Sequence, residues 1–175
     1  MGGTLQRLMK LFVPVAGTIL GVALLAPPAL ANNQVKTVNH VDFTYVEKGI
    51  CPFHLSVHLE GYYKSVEYYD GSGFLYKVIN TAGGGGPFSV TETAHGTTLT
   101  QRNEAFSEMI MFHRDGTWTY TRRGPVAKFT VPGEGVVLLD TGTASWSEPD
   151  ETLLFSGGPH QAVDGDFDAF CAAFG

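Results

Sequence analysis

Histidine side chains could bind a metal ion, and two of the six histidines are only four positions apart in the sequence. His54 and His58 alternate with apolar residues, a pattern typical of a β-strand with one buried face. Along a strand, their spacing of four residues separates the two Cα atoms by roughly 13 Å, too far for one metal ion. We therefore expect both to face solvent, and a metal site would need His95 or His113 from another strand.

The acidic segment 164–168 is a second candidate, because its aspartates alternate as they do at the start of a calcium-binding loop. The rest of that loop is missing, since Ala169 replaces its glycine and Gly175 replaces its final glutamate. A short helix explains the aspartates better, with Asp166 as its N-cap and Asp168 in its first turn.

Catalytic motifs with a defined spacing are also missing from the sequence. No serine lies in the G-x-S-x-G pattern of a nucleophile elbow. The glycines at 83–86 lead into Pro87 without the Lys-Ser/Thr pair of a phosphate-binding loop. The sequence therefore predicts no catalytic residue, no metal and no cofactor, and it favours a protein that is not an enzyme. A triad that only the fold assembles stays open.

The two cysteines, Cys51 and Cys171, form the remaining reactive pair. An even count in an exported chain favours a disulfide. Neither cysteine belongs to a C-x-x-C motif or a His/Cys cluster, which disfavours a zinc or redox site. A bridge would tie the ends of the folded part together and stabilise it by about 4–5 kcal/mol in the chain-entropy model.

The strongest candidates for ligand binding lie on either side of Asp115-Gly116, a pair that suits a two-residue type I′ hairpin turn. Such a turn would pair His113 with Trp118 and Met111 with Tyr120. One face of this hairpin would then carry the residues that we expect to bind a ligand: Met109, Met111, His113, Trp118 and Tyr120. The opposite face is apolar too, so one side should meet the core and the other a lumen, a second sheet or a partner.

The elements that must position these residues are β-strands. Apolar residues alternate with polar ones in short runs from Val41 almost to the end, and Gly, Pro and Asp turns separate the runs. Phe167, Phe170 and Phe174 fall at helical spacing and predict a short C-terminal helix that flanks the sheet. The expected fold is all-β, an antiparallel barrel or barrel-like sandwich of about eight to ten strands with that helix.

Residues 1–31 have the organisation of a cleavable signal peptide, with two bases, an apolar run and Ala29-Leu30-Ala31 before the cleavage point. Residues 32–40 predict a flexible polar tail, and 41–175 predict a single domain. Beyond residue 31 the chain has nine bases and seventeen acids, a net charge of −8. This charge argues against nucleic acid or an anionic membrane as partner. We expect an extracellular protein with no membrane contact after cleavage.

Four short motifs stand along the folded part: Cys51-Pro52-Phe53-His54-Leu55, Gly86-Pro87-Phe88, Gly158-Pro159-His160 and Asp168-Ala169-Phe170-Cys171. In these motifs, which together span most of residues 45–173, the chain resembles a group of small, uncharacterised secreted proteins of actinomycetes. The resemblance implies one secreted domain with paired cysteines. It implies no activity and no catalytic residue.

Three functions remain in competition. The first is a non-catalytic binding module outside the cell, with a small apolar ligand in a barrel lumen. The second is a surface protein that binds another protein, for example at the cell surface, through a cluster of tyrosines: Tyr62, Tyr63, Tyr68, Tyr69 and Tyr76. The third, less favoured, is a small barrel isomerase or cyclase that uses His113 as acid or base.

Overall fold

The computed structural model describes residues 33–102 and 105–175. In this part the protein is all-β, as the sequence predicts, with nine antiparallel strands in one sheet and two short helices. The sheet is not closed, and the fold is a barrel-like sandwich. The predicted signal peptide lies outside the described residues. The elements are β1 (Asn33–Glu47), β2 (Leu55–Tyr69), β3 (Leu75–Ala82), β4 (Phe88–Ala94), β5 (Thr97–Arg102), β6 (Ser107–Phe112), β7 (Trp118–Val131), β8 (Gly135–Glu148), β9 (Thr152–Gly157), α1 (Gln161–Asp164) and α2 (Asp168–Ala172).

Strand β2 divides the sheet in two, because it pairs with β1 over its full length and with two different strands along its other edge. Its first part pairs with β4, and its second part, from Tyr63, pairs with β3. The switch occurs beside Gly61, where a Cβ would lie 2.4 Å from the carbonyl oxygen of Pro87. Only glycine allows the two backbones to approach so closely.

One part is called the closed half because β5 returns there to β7 through side-chain hydrogen bonds. It contains β4, β5, the first part of β2 and the ends of β7 and β8 that adjoin their shared turn. Here β5 approaches β7 through Gln101, whose side-chain amide donates to the Val126 carbonyl at 3.1 Å. The same side chain accepts from the backbone N–H of Lys128 at 2.6 Å. These two bonds bring the sheet back on itself around a core of buried aliphatic and aromatic side chains.

The C-terminal helix region covers this core as expected. Phe170 and Phe174 are each 1% exposed, and Phe167 is buried with them. Cys51 and Cys171 form the expected disulfide, with their Cα atoms 5.5 Å apart. Within residues 33–102 and 105–175, no helix has both the length and the apolar character needed to cross a membrane.

The N-terminal segment differs from the expected flexible tail. Asn33–His40 form the first half of β1 and pair with Tyr62–Tyr69 of β2. Most of these side chains are exposed. Their polar composition hid the strand, since a backbone ladder holds it to β2 with little burial of apolar side chains.

The other part, the open half, contains β3, β6, β9 and the adjoining parts of β2, β7 and β8. Its strands lie in the order β2-β3-β6-β7-β8-β9, and the last strand is exposed along its whole length. Helix α1 reaches this half through Val163, which packs against Ala144 and Trp146. The open half contains the hairpin on which the sequence places its binding residues.

Candidate binding face on the open half of the sheet

The hairpin between β6 and β7 has a different register from the expected one. The backbone N–H of His113 donates to Thr117 at 2.9 Å, and that of Gly116 donates to His113 at 3.2 Å. Gly116 alone of the Asp-Gly pair takes a positive φ, of 89°, which excludes a type I′ turn. The loop is one residue longer than expected, so Phe112 lies opposite Trp118.

This shift of one residue separates the five residues expected to bind a ligand together, because neighbouring strand residues point to opposite faces. Met109 and Met111 lie opposite Thr121 and Thr119 on one face. His113 belongs to that face too and lies 3.4 Å from the hydroxyl of Thr119, exposed to solvent. Trp118 and Tyr120 lie on the other face, opposite Phe112 and Ile110. The prediction of one common face is therefore wrong.

The face with Trp118 and Tyr120 is here called the inner face. It combines aromatic side chains with a set of buried polar ones that the sequence analysis did not single out: Ser65, Asn80, Glu108, Arg122, Trp146 and Glu148. These residues come from five strands and meet only because the register of each pair places them on the same side. The opposite side, with Met109 and Met111, is called the outer face.

Glu108 lies at the base of the inner face and accepts several hydrogen bonds. The phenol of Tyr63 donates to one of its oxygens, the phenol of Tyr120 donates to the other at 2.6 Å, and Asn80 also bonds to it. Burial raises the pKa of the Glu108 carboxyl, while the bonds from Tyr120 and Tyr63 and the nearby charge of Arg122 oppose the rise. Burial also raises the pKa of both phenols well above 10.0, so they remain donors.

A buried ion-pair chain lies behind this carboxylate. Arg122 donates to one oxygen of Asp140 at 3.1 Å, and Nδ1 of His160 lies 3.0 Å from the other. Nε2 of His160 lies 3.2 Å from two carbonyl oxygens, those of Thr143 and Gly157. Both ring nitrogens thus face acceptors, and Asp140 is fully buried. The chain fixes Arg122 and the end of β9, and it leaves His160 no free nitrogen with which to accept a proton from a substrate.

Five side-chain atoms on the inner face are buried without a hydrogen-bond partner. In the described part of the chain, seven such atoms occur. Those on the inner face are Oγ of Ser65, Oδ1 of Asn80, Nε of Arg122, Nε1 of Trp146 and Oε1 of Glu148. A sixth, Oε2 of Glu151, belongs to the turn that follows β8. Buried polar atoms in native proteins are nearly always paired with protein groups or ordered water, so a water molecule or a ligand that reached these atoms could form hydrogen bonds with them.

Aromatic surface lies beside these atoms. Trp118, Phe112 and Tyr120 are each partly exposed, and the ring of Tyr120 lies 5.6 Å from that of Trp146. The guanidinium of Arg122 lies 5.5 Å from the Trp146 ring. Both tryptophans of the chain therefore belong to the inner face. The combination of aromatic surface with a few aimed polar groups is typical of sites for small ligands.

The lumen of the closed half is small. Its cavity has a volume of about 40 Å³ and is lined mainly by apolar side chains, with Glu92 and Tyr45 among the polar ones. Burial and the nearby charge of Glu47 raise the pKa of Glu92 to about 8. Sites for drug-sized ligands measure roughly 300–1,000 Å³. The cavity can hold no more than a few water molecules.

The tyrosines expected to form one cluster are divided in the same way as the hairpin residues. Tyr63 is buried on the inner side, whereas Tyr62 is exposed on the other side of β2 and contacts His40. Tyr68 and Tyr76 lie with their rings 6.3 Å apart, and the ammonium of Lys77 sits 3.9 Å from the Tyr68 ring. The five tyrosines therefore do not form a single surface.

The candidate metal ligands lie apart from the inner face. His58 bonds to Thr44 at 3.1 Å and lies near two carboxylates of the surface, those of Asp42 and Glu60. Helix α2 begins at Asp168 after Phe167, so Asp166 is not its N-cap as expected. Across residues 33–102 and 105–175, no group of three or more His, Cys, Asp or Glu side chains is arranged to hold a metal ion.

Comparisons of the chain with known proteins give no match. No family model, no curated protein and no solved structure matches it. The resemblance to small secreted proteins of actinomycetes stays a prediction. The function is therefore inferred from the geometry of the inner face.

Proposed function

We propose that the protein is a non-catalytic binding module that takes a small ligand on its inner face, against Trp118 and Tyr120. The observation that supports this most strongly is the group of five buried polar atoms without partners beside partly exposed aromatic rings. Leaving such an atom unpaired costs about 1–3 kcal/mol, and a ligand that pairs with several of them would recover that cost.

The proposed site differs from the lumen expected from the sequence. A cavity of about 40 Å³ has no space for an organic ligand, whereas the inner face is open to solvent along Phe112 and Trp118. The ligand that we propose has an apolar part for the rings and also carries polar groups for the unpaired atoms.

Binding is favoured over catalysis at the base of the inner face because the two groups there that could transfer protons, Glu108 and His160, are already engaged. Glu108 accepts from two phenols, and both nitrogens of His160 face acceptors. His113, the candidate acid or base of an isomerase, lies exposed on the outer face beside Thr119. A general base needs a free acceptor that a substrate can reach.

A fluorescence screen tests this proposal directly, since both tryptophans lie on the inner face. Fragments that bind there should change the tryptophan emission saturably in the wild-type chain, with Trp146 still reporting in Trp118→Ala. We expect the variant to lose at least tenfold in affinity for the hits. Phe155→Ala is the matched control, because Phe155 is 55% exposed and lies opposite Ser145 of the outer face. Hits that bind Trp118→Ala as tightly as the wild type would refute this site.

A second candidate function is binding of a partner protein at β9. Leu153, Leu154 and Phe155 are 39–58% exposed on this strand, which lies at the end of the strand order. An uncharged, exposed edge strand can add a strand from another protein. Pull-down of a partner by the wild type but not by Leu154→Lys would favour this function, and equal recovery by both would exclude it.

We propose that the protein is exported. The disulfide is consistent with an oxidising compartment, and residues 1–31 predict a cleavable signal peptide. Mass spectrometry of the protein from culture medium should give the mass of a chain that begins at Asn32, less two hydrogen atoms for the bridge. A chain of full length that stays in the cell fraction would contradict export.

A further inference from the structure

Carboxylates and aromatic surface lie side by side at one end of the inner face, where β7 begins and β8 ends. Glu148 is the last residue of β8 and lies opposite Trp118. It is only 8% exposed, and its Oε1 has no hydrogen-bond partner. Oε2 of Glu151, from the following turn, is also buried and unpaired.

The residues that the structure describes form no ion pair with these two carboxylates. Among the described residues, the ion pairs involve Asp42, Glu60, Asp70 and Asp140, and none involves Glu148 or Glu151. Burial and repulsion by Glu151 and Asp150 raise the pKa of Glu148. A cation placed between the two carboxylates would reverse this repulsion and pair both free oxygens.

The chemistry of the surroundings selects an organic cation over a metal ion. The residues described hold no group of three or more ligating side chains here or elsewhere, whereas calcium takes six to eight oxygen ligands. Trp118 offers a partly exposed ring directly beside Glu148, and ammonium groups are attracted to the faces of such rings. A carboxylate only accepts hydrogen bonds, so the cation must carry N–H donors to satisfy it.

We propose that this end of the inner face binds a primary organic ammonium ion, whose nitrogen donates to Glu148 and Glu151 and whose apolar part packs against Trp118. This inference rests on the proposed binding function and adds the chemical class of the ligand. A quaternary ammonium ion fits less well, since it would leave both carboxylate oxygens unpaired.

Two probes of nearly the same shape test the inference: 2-phenylethylamine, an ammonium ion at pH 7, and neutral 2-phenylethanol. Each is titrated into the full disulfide-bonded protein while tryptophan emission is recorded at low salt. We expect the amine to bind at least tenfold more tightly than the alcohol. In Glu148→Gln, which keeps the shape and removes the charge, the difference should fall below about threefold.

Glu134→Gln is the matched control, because Glu134 is exposed in the turn at the opposite end of β7. It should keep the full preference for the amine. Glu151→Gln repeats the test from the turn in case Glu148→Gln does not fold, and it should reduce the preference in the same direction.

The outcomes separate this inference from the proposed function. Equal affinity for amine and alcohol, or no binding of the amine when neutral fragments still bind, would overturn the ammonium site and leave a binding face. An amine preference unchanged in both Glu148→Gln and Glu151→Gln would also overturn it. If neither the probes nor any fragment changed the tryptophan emission, the proposed function would fail as well.

Discussion

The closed and open halves share the long strands β2, β7 and β8 but bury different chemistry. In the closed half, the side of the sheet turned to the core carries residues such as Leu55, Val57 and Phe129, each at most 2% exposed. The same strands in the open half bury polar side chains, namely Ser65, Arg122 and Glu148, beside partly exposed rings. The apolar core of the closed half, which helices cover, stabilises the fold. The polar and partly exposed inner face of the open half retains groups that can form hydrogen bonds with a ligand.

Glycines mark the boundary where the shared strands change character. Gly61 lies at the switch in β2, and Gly124 of β7 lies opposite Gly142 of β8. A Cβ on Gly142 would lie 2.3 Å from the carbonyl oxygen of Gly157. Because glycine has no side chain, the backbones can approach closely at these positions, and each shared strand can continue from one half into the other.

The largest expected contrast between the halves is in stability. Phe170→Ala removes a side chain that is 1% exposed in the closed half, and we expect a loss of about 3–5 kcal/mol in the free energy of unfolding. Phe112→Ala removes a partly exposed ring from the open half and should cost about 1 kcal/mol. Urea unfolding of both variants measures the contrast, and similar losses would remove the distinction.

The boundary itself can be tested at Gly142. Its φ of 125° and the close carbonyl oxygen of Gly157 both oppose a side chain, so Gly142→Ala should cost about 3 kcal/mol. Gly133→Ala is the control, since Gly133 also has a positive φ, of 88°, but no atom within 4 Å of a built Cβ. We expect about 1 kcal/mol there. Thermal melts should rank the two, and equal costs would mean that the crossing is not tight.

The buried carboxyl of Glu92 makes the stability of the closed half depend on pH. Its folded pKa of about 8 lies above that of an unfolded chain, so the folded state holds the proton more strongly. The protonated carboxyl of Glu92 therefore contributes to the free energy of unfolding at acid pH, and this contribution is lost as pH rises from about 5 to 8. Glu92→Gln should be close to the wild type in stability near pH 5 and increasingly more stable than it as pH rises to 8. Parallel pH dependence of the two proteins would contradict this.

Trp118→Ala should cause the smallest change in stability among these variants and the largest change in ligand affinity. Trp118→Ala removes a partly exposed ring at the start of β7 and should lower the free energy of unfolding by less than about 1 kcal/mol. Its affinity for ligands of the inner face should nevertheless fall at least tenfold. Circular-dichroism melts beside the fluorescence titration separate the two effects. A loss of several kcal/mol would mean that Trp118 serves the fold and not a ligand.

Much of the closed half could be predicted from the sequence. The alternation of Leu55, Val57 and Leu59 specifies a buried strand face, and the spacing of Phe170 and Phe174 specifies the covering helix. These signals are local, because each residue's burial follows from its neighbours along the chain. The disulfide could be predicted for a different reason, since only two cysteines exist in the chain.

The inner face could not be predicted, because it depends on register. Asp115-Gly116 suits both a type I′ turn and the longer loop that forms, in which only the glycine takes a positive φ. Charge pairing does not decide between them: Glu108 lies opposite Arg122 in the true register and would lie opposite Arg123 in the expected one. One signal was available, namely that Glu108 interrupts an apolar run on the same side as Phe112.

Native mass spectrometry of the protein purified from its own host's medium tests the central claim most directly. We expect the wild type and the Phe155→Ala control to carry a small adduct that disappears on denaturation, and Trp118→Ala to be bare. An adduct retained by Trp118→Ala, or a wild-type protein without any adduct, would contradict the assignment of the inner face as a ligand site.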